Sequence, residues 1–315
     1  MRGERMEREI ESQAELLPAL VGKYEAAARV AVEGLRPEMI LLVARGSSDN
    51  AALYARYLIE IGLGIPVVLA APSTITRFGA KPRYPRTLAI GISQSGAAPD
   101  VAEVLETMGE LGHATLAITN TPGSRLTIAG ERSLDLNVGE ETAVAATKTF
   151  SGSMLMLYQV VRALGANLPP PILYDRAWMV TCRAAAEEAS GTFVRCSPTF
   201  ALARGYGFGV AHETALKLME CALLPCKAYS AADFQHGPKA LAGAGSAALD
   251  FSGEAEWLAD QGCEVVIPPT MDDLPPEMAP IWQVVFGQWL ALFAARARGL
   301  DPDAPPHLSK VTRTL

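Results

Sequence analysis

The sequence predicts an α/β protein made of two tandem units, each a parallel sheet with helices on both faces. Short apolar segments typical of buried strands alternate with longer stretches of helical periodicity. The length of 315 residues allows two domains. The tripeptide Ala-Arg-Gly recurs at 44–46 and 203–205, each time at the end of an apolar run, which indicates a duplicated strand–turn–helix unit.

The elements follow in order along the chain. In the first unit we expect strands at 39–44, 66–70, 87–93, 114–119 and 133–137, with helices up to Glu60, at 99–111 and at 147–164. In the second we expect strands at 199–203, 246–251 and 263–268, with helices at 210–223 and 278–298.

Five segments are predicted from this pattern. Residues 1–36 form an N-terminal helical segment, and three prolines at 169–171 mark a linker. The segments are 1–36, the first domain 37–168, a linker and bridging helix 169–191, the second domain 192–298, and a C-terminal tail 299–315.

Composition argues against several classes of protein. A formal charge of −7 disfavours a nucleic-acid binder, whose affinity depends on clustered basic residues. No segment predicts a signal peptide or a membrane span, and the apolar stretch from Ile281 to Ala295 is typical of a buried helix. Five cysteines without a disulfide framework indicate reduced thiols and a cytoplasmic protein. The sequence indicates no metal or redox cofactor.

Two turns rich in serine and glycine follow strands of the first unit. They are Gly46-Ser47-Ser48 and Ser93-Gln94-Ser95-Gly96. Ligands of open α/β sheets bind outside the carboxyl ends of the strands, where serine hydroxyls and helix N-termini can hold a phosphate. Either turn alone would favour simple helix capping, but two such turns in one sheet favour an anion site. Neither fingerprint for dinucleotides or nucleoside triphosphates is present.

A second candidate region runs from 211 to 241. Glu213, Lys217 and Glu220 share one helix face, where the first two are typical of a solvated salt-bridge stripe. Glu220 lies among apolar neighbours, where burial would raise its pKa toward that of a proton shuttle. His236 precedes Gly-Pro and is expected in a turn, as a general acid–base or as a plain turn residue.

Together these motifs resemble the sugar isomerase (SIS) family, in particular the isomerase half of glutamine–fructose-6-phosphate amidotransferase. The resemblance covers nearly the whole chain, in order, at 44–60, 93–96, 118–126, 139–150, 203–221, 228–241 and 305–312. It implies two tandem SIS domains, each a flavodoxin-like parallel sheet with helices on both faces, and a sugar-phosphate substrate.

The resemblance also implies roles for single residues. Ser48, Ser93, Gln94 and Ser95 would hold the phosphate, with Gly46 and Ser47 beside them, and the backbone at Val144 and Ala145 would line the sugar site. Glu220 would move a proton between C1 and C2, and Lys217 would be a further active-site lysine. His236 would assist ring opening from the neighbouring subunit of a homodimer, and Lys310 would contact the open-chain sugar.

Four departures from the family pattern bear on the activity. Ala98 replaces a hydroxyl residue, Lys227 replaces a glutamate, and Ala232-Asp233 replaces a glycine–acid pair. Only 36 residues precede the first sheet, so we expect no glutaminase domain and no ammonia production from glutamine. The resemblance then implies deamination of glucosamine 6-phosphate to fructose 6-phosphate. A deglycase of an N-substituted sugar phosphate and a non-catalytic sugar-phosphate sensor stay open as alternatives.

Overall fold

The computed structural model describes residues 2–310 and confirms an α/β fold with two all-parallel sheets. The described residues divide into two compact units. The five-stranded unit comprises 17–140 and 149–171, and the four-stranded unit comprises 2–16, 141–148 and 172–310. The residue boundaries of the predicted domains stay a prediction.

The five-stranded unit has the strand order β2-β1-β3-β4-β5, the order of flavodoxin-like sheets. Every residue of β1 and β3 is buried, as expected for parallel strands covered on both faces. The strands are β1 Met39–Val43, β2 Val67–Leu69, β3 Thr87–Ile92, β4 Ala114–Thr119 and β5 Arg132–Asp135. The helices are α2 Ser47–Leu63, α3 Ser73–Thr76, α4 Pro99–Glu110, α5 Arg125–Ala129, nearly all of α6 Lys148–Ala163, and the second half of α1 Glu4–Ala31.

The four-stranded unit has the order β7-β6-β8-β9, which repeats the first four positions of the other sheet. Its strands are β6 Thr199–Ala203, β7 Cys226–Ser230, β8 Ala247–Asp250 and β9 Glu264–Val266. Its helices are the first half of α1, α7 Arg176–Arg195, α8 Phe208–Ala222, α9 Ala231–Phe234 and α10 Ala279–Ala297, besides three short 3-10 helices.

Helix α10 is the central helix of the four-stranded unit, because all its residues from Pro280 to Ala295 are buried. This confirms the prediction of a buried helix. Gly287 lets α10 approach α8 closely, since a Cβ there would lie 2.1 Å from Thr214 Oγ1. No helix within residues 2–310 is long and apolar enough to cross a membrane.

The N-terminus of α1 is capped by the segment that follows α10. The Gly3 N–H donates to Asp301 Oδ1 at 2.9 Å, and the N–H groups of Arg5 and Met6 donate to the two carboxylate oxygens of Asp303 at 2.8 and 2.9 Å. Carboxylates stabilise the unpaired N–H groups at a helix start. These contacts tie residues nearly 300 positions apart in the chain.

Strand β7 is missing from the strands predicted by the sequence. It lies at a sheet edge and pairs only with β6, in the register Thr199↔Cys226. Cys226 and Ala228 are buried whereas Lys227 is exposed, so the strand alternates instead of forming an apolar run. Such a short amphipathic edge strand gives a weak periodic signal.

All five cysteines are free and buried, as expected from the sequence. Burial raises the pKa of Cys221 and of Cys226 to about 12. A thiol held in its protonated form is a poor nucleophile and a poor metal ligand.

Candidate active site

The two serine turns of the five-stranded unit lie at the point where its strand order reverses. Strands β1 and β3 are neighbours, with Val43 opposite Gly91. The turn at 44–48 follows β1, and the turn at 93–96 follows β3. In open α/β sheets this reversal opens a crevice at the carboxyl edge, where ligands bind. The structure therefore brings Ser47, Ser48, Ser93, Gln94 and Ser95 to one place.

The serines in these turns do not act as helix caps. Gly46 is the N-cap of α2, with φ 54° and ψ −131°, and no side chain caps this helix. Ala98 is the N-cap of α4 and provides no side-chain cap, and in that first turn the Val101 N–H donates to Asp100 Oδ1 at 3.0 Å. The helix-capping alternative is therefore wrong for both turns. Uncapped N–H groups beside serine hydroxyls are suited to an anion.

The turn after β3 is fixed by the turn after β4. The Gln94 carbonyl accepts hydrogen bonds from Asn120 N–H at 3.0 Å and from Thr119 Oγ1 at 3.2 Å. Gly96 has φ 61°, and a Cβ there would lie 2.0 Å from Ser124 Oγ, so only glycine fits. The Ser93–Ser95 turn is thus preorganised by backbone contacts.

Two acidic side chains stand beside the reversal point of the five-stranded unit. Arg45 Nε donates to Asp100 Oδ2 at 2.7 Å, which links the turn after β1 to α4. Asp49 is in the first turn of α2, where burial raises the pKa of its carboxyl group, and the Arg45 charge opposes that rise. This edge of the sheet therefore combines hydrogen-bond donors with a poorly solvated carboxyl.

The matching point of the four-stranded unit lies between β6 and β8, which are also neighbours. The fully buried Asp250 accepts hydrogen bonds at 2.7–3.1 Å from Ser252 N–H, Ser252 Oγ, Gly253 N–H and Ala255 N–H. Arg204 Nη1 lies 3.2 Å from Glu254 Oε2. This turn therefore already contains a carboxylate of the protein.

Helix α8 follows β6 and carries the three charged residues of the second candidate region. Glu213 and Lys217 are 0% and 1% exposed, so the prediction of a solvated salt-bridge stripe is wrong for them. Lys217 Nζ lies 3.5 Å from Glu213 Oε1 and donates a short hydrogen bond to Glu220 Oε2. The Glu220 side chain stays 25% exposed, because it lies toward the end of the helix.

The charges on α8 support one another. Burial alone would lower the pKa of Lys217, but the carboxylates of Glu213 and Glu220 outweigh it and raise that pKa. Lys217 therefore keeps its proton. The arrangement leaves Glu220 as an accessible carboxylate beside a buried fixed cation, which suits a group that exchanges protons with a ligand.

The turn that carries His236 lies between α9 and a 3-10 helix at Pro238–Leu241. His236 is exposed, as the turn prediction requires. Of the residues that depart from the family pattern, Asp233 is exposed, and Lys227 Nζ lies 4.9 Å from the centre of the Tyr229 ring. Ala98 packs against the core of the five-stranded unit.

The loop before α6 brings Lys310 to Glu141. Lys310 Nζ lies 2.8 Å from Glu141 Oε2, and Glu141 Oε1 accepts hydrogen bonds from the N–H and hydroxyl of Thr147 at 3.0 and 3.2 Å. Val144 and Ala145 lie between these two contacts in the chain. The tail lysine therefore pairs with the loop that carries the predicted sugar-lining backbone.

Sequence reasoning did not single out Glu141 or Asp250. Glu141 lies in the segment 139–150, which carries the resemblance, but its neighbour Glu140 is acidic too and nothing in the pattern distinguishes them. Asp250 lies at the end of a predicted strand, where a single acidic residue is common. Their burial, 5% and 0% exposed, is the signal that only the structure supplies.

The sequence of the chain is similar to a known protein family and to curated proteins. Residues 36–163 match the family described as the SIS domain. The glutamine–fructose-6-phosphate aminotransferase (isomerizing) of Methanothermobacter thermautotrophicus is 33% identical over 307 residues, covering 87% of this chain and 51% of that protein. The chain thus spans about half the length of this curated relative.

Two solved structures cover the chain almost completely. The glucosamine-6-phosphate deaminase of Thermotoga maritima is 26% identical with a TM-score of 0.79, and the match covers 98% of this chain and 100% of that one. The C-terminal domain of the Francisella tularensis glucosamine-fructose-6-phosphate aminotransferase is 23% identical with a TM-score of 0.79, covering 94% and 97% of the two chains, and shows the fold. Residues 36–163 of the chain are therefore a SIS domain, and the chain is homologous to the isomerase half of the glutamine–fructose-6-phosphate aminotransferases.

Proposed function

We propose that this protein is an aminosugar-phosphate deaminase that converts glucosamine 6-phosphate and water into fructose 6-phosphate and ammonia. The observation that carries the proposal is the pairing on α8 of the accessible Glu220 carboxylate with the buried, protonated Lys217. The Thermotoga maritima deaminase, which matches this chain over nearly its whole length, supports it.

The phosphate binds at the strand reversal of the five-stranded unit. The hydroxyls of Ser48, Ser93 and Ser95 donate to its oxygens, together with N–H groups at the start of α2 and near Gln94. Ser47 or a water molecule would compensate for the hydroxyl missing at Ala98. Because this site consists of small groups fixed by backbone contacts, it anchors the substrate without closing around the sugar.

Glu220 carries out the proton transfer. It removes the C2 proton of the open-chain aminosugar and returns a proton at C1, which leaves an imine at C2. Water adds to that imine, and the C2–N bond breaks to release ammonia and the ketose. Between the two transfers Glu220 carries the proton, and the buried Lys217, which is also paired with Glu213, holds the Glu220 side chain in position.

His236 and Lys310 act on the ring and on the open chain. An exposed His236 supports the proposal that its imidazole serves the neighbouring subunit of a homodimer, where it assists ring opening. Lys310 forms an ion pair with Glu141 in this structure. It would contact the substrate carbonyl after its ammonium group has separated from the Glu141 carboxylate. The backbone at Val144 and Ala145 lines the sugar beside it.

We also propose that the four-stranded unit is a second SIS domain. Its strand order repeats that of the first unit, and glycines with positive φ, Gly46 at 54° and Gly205 at 60°, follow β1 and β6. An arginine precedes each glycine and pairs with an acid that follows the neighbouring strand, Asp100 in one case and Glu254 in the other.

The first test measures ammonia and fructose 6-phosphate released from glucosamine 6-phosphate, with Glu220→Gln as the variant. We expect equal amounts of both products from the wild type. The variant should lose about 100- to 10,000-fold in kcat, the usual contribution of a positioned acid–base group, with little change in phosphate binding.

Glu60→Gln is the matched control, because Glu60 lies on α2 at nearly the same distance after its Ala-Arg-Gly turn and pairs with Arg56 at 3.3 Å. It should behave as the wild type. Binding of the sugar phosphate without any product would refute the deaminase. N-substituted sugar phosphates would then separate a deglycase from a non-catalytic sensor.

A further inference from the structure

The loop at 141–147 is held in place from both of its ends. At the far end, Thr147 donates its N–H and hydroxyl to Glu141, and the Thr147 carbonyl accepts from Gln288 Nε2 at 3.2 Å. At the near end, the contacts come from Glu9 in the first half of α1. Val144 and Ala145, the proposed sugar-lining backbone, lie in the middle.

Glu9 makes three hydrogen bonds to this loop through one carboxylate oxygen. Its Oε1 accepts from Thr142 N–H at 2.6 Å, Thr142 Oγ1 at 3.3 Å and Ala143 N–H at 3.2 Å. Two successive backbone N–H groups are thereby aimed at one acceptor. Since these residues directly precede Val144, the contacts fix the direction in which the backbone enters the sugar-lining segment.

Gln13, one helical turn further along α1, supports the other end of the loop. Gln13 Nε2 donates to Gln288 Oε1 at 2.7 Å, and Gln288 in turn bonds the Thr147 carbonyl. Both Glu9 and Gln13 are buried, at 7% and 0% exposed. The same face of α1 therefore reaches both ends of the loop, one directly and one through Gln288.

A buried carboxylate at this position is expensive for the fold. Glu9 Oε2 is buried and has no hydrogen-bond partner within residues 2–310. Burial raises the pKa of Glu9, and the nearby Glu141 carboxylate raises it further, against the opposing effects of the loop N–H groups and Lys310. An apolar residue would remove the cost of burial but would leave two loop N–H groups unpaired.

We infer that Glu9 is a positioning residue for the sugar-lining loop, which sets the direction of the Val144 and Ala145 backbone groups without touching the substrate itself. The inference rests on the proposed function, because that function makes the loop part of the sugar site. It gives the N-terminal half of α1 a role in substrate recognition that its helical pattern does not indicate.

The test compares Glu9→Ala with Glu9→Gln. Alanine removes the acceptor of both N–H groups, whereas glutamine keeps a carbonyl oxygen in the same place. We expect Glu9→Ala to lower kcat about 10- to 100-fold, as for a misplaced substrate, and to weaken glucosamine 6-phosphate binding in calorimetry by about tenfold. Binding of inorganic phosphate should not change, because the proposed phosphate site consists of the serine turns after β1 and β3 and not of this loop. Glu9→Gln should restore most of the loss.

Glu11→Gln is the matched control on α1, since Glu11 is exposed and lies 3.4 Å from Arg183 rather than near the loop. It should match the wild type. If Glu9→Ala only lowered the thermal midpoint and kept both kcat and sugar-phosphate affinity, Glu9 would be merely structural and the inference would be refuted.

A second variant and a readout that does not depend on turnover complete the test. If Glu9→Ala fails to fold, Thr142→Gly is the second variant, which loosens the loop from its exposed side. It should weaken the binding of the sugar phosphate but not that of inorganic phosphate. Unchanged binding of the sugar phosphate would overturn the inference. If the wild type shows no turnover, the deaminase proposal fails. The binding measurements with glucosamine 6-phosphate and inorganic phosphate still decide the role of Glu9.

Discussion

In the five-stranded unit, the turns beside the strand reversal present serine hydroxyls and helix N-termini whose N-cap residues, Gly46 and Ala98, provide no side-chain cap. In the four-stranded unit, the turn at the matching place closes on Asp250, whose carboxylate takes four hydrogen bonds from Ser252, Gly253 and Ala255. Both sheets share the same strand order over four strands. The difference indicates that one topology can leave its serine hydroxyls available to a ligand or direct the donors of the turn to a buried carboxylate of the protein.

Removing the serine hydroxyls should have the largest effect. Each hydrogen bond to a charged group contributes roughly 1.5–3 kcal/mol, so the double variant Ser93→Ala and Ser95→Ala should weaken glucosamine 6-phosphate binding by about 100-fold or more. Isothermal titration calorimetry measures the affinity. Ser252→Ala is the matched control in the other turn and should bind as the wild type does. Equal losses in both variants would contradict the comparison.

Removing the buried Asp250 carboxylate should lower the stability of the protein rather than its affinity for glucosamine 6-phosphate. Asp250→Asn replaces one carboxylate oxygen, a hydrogen-bond acceptor, with an amide NH2 group that faces backbone N–H donors. We expect this substitution to lower the free energy of unfolding by about 2–3 kcal/mol. Urea unfolding measures this loss, and calorimetry with glucosamine 6-phosphate should show unchanged affinity. If Asp250→Asn weakened sugar-phosphate binding as strongly as the serine variants, the second turn would have to be part of the binding site.

The smallest expected effect is a change in thermal stability on substitution of Asp49 in the first turn of α2. Because burial raises the pKa of Asp49, the folded protein holds this proton more tightly than the unfolded chain does. Its contribution to stability is therefore largest below the unfolded value near 3.8 and is lost as the pH rises through the folded value. Asp49→Asn should raise the thermal midpoint at pH 7 by at most about 2 °C, with no gain at pH 3. A gain at pH 3 as large as at pH 7 would show that charge is not the cause.

Periodicity was sufficient to predict most of the sheet. The apolar runs at 39–44, 87–93 and 199–203 correspond to strands that are buried on both faces, where the pattern is continuous and easy to recognise. Strand β7 escaped prediction because an edge strand with an exposed Lys227 lacks that pattern. The turns after β1 and β3 were predicted as a ligand site because they follow such well-marked strands.

Burial of charge could not be predicted in the same way. The helical spacing of Glu213 and Lys217 is the same for an exposed stripe and for a buried pair, and only the packing of α8 within its unit distinguishes them. Glu9 and Glu141 present the same difficulty, since their contacts join residues more than 130 positions apart in one case and 169 in the other. Long-range hydrogen bonds leave no periodic signal in a single sequence.

The capping of α1 by Asp301 and Asp303 has a consequence for the order of events during synthesis. Residues 2–16 leave the ribosome before the five-stranded unit does, yet their partners in the same unit include Gln288, Asp301 and Asp303, which are made after it. The five-stranded unit, within 17–171, can complete its sheet while translation continues. The first half of α1 must instead wait for nearly 300 residues, so the loop that it supports acquires its final geometry only after Asp303 has been made.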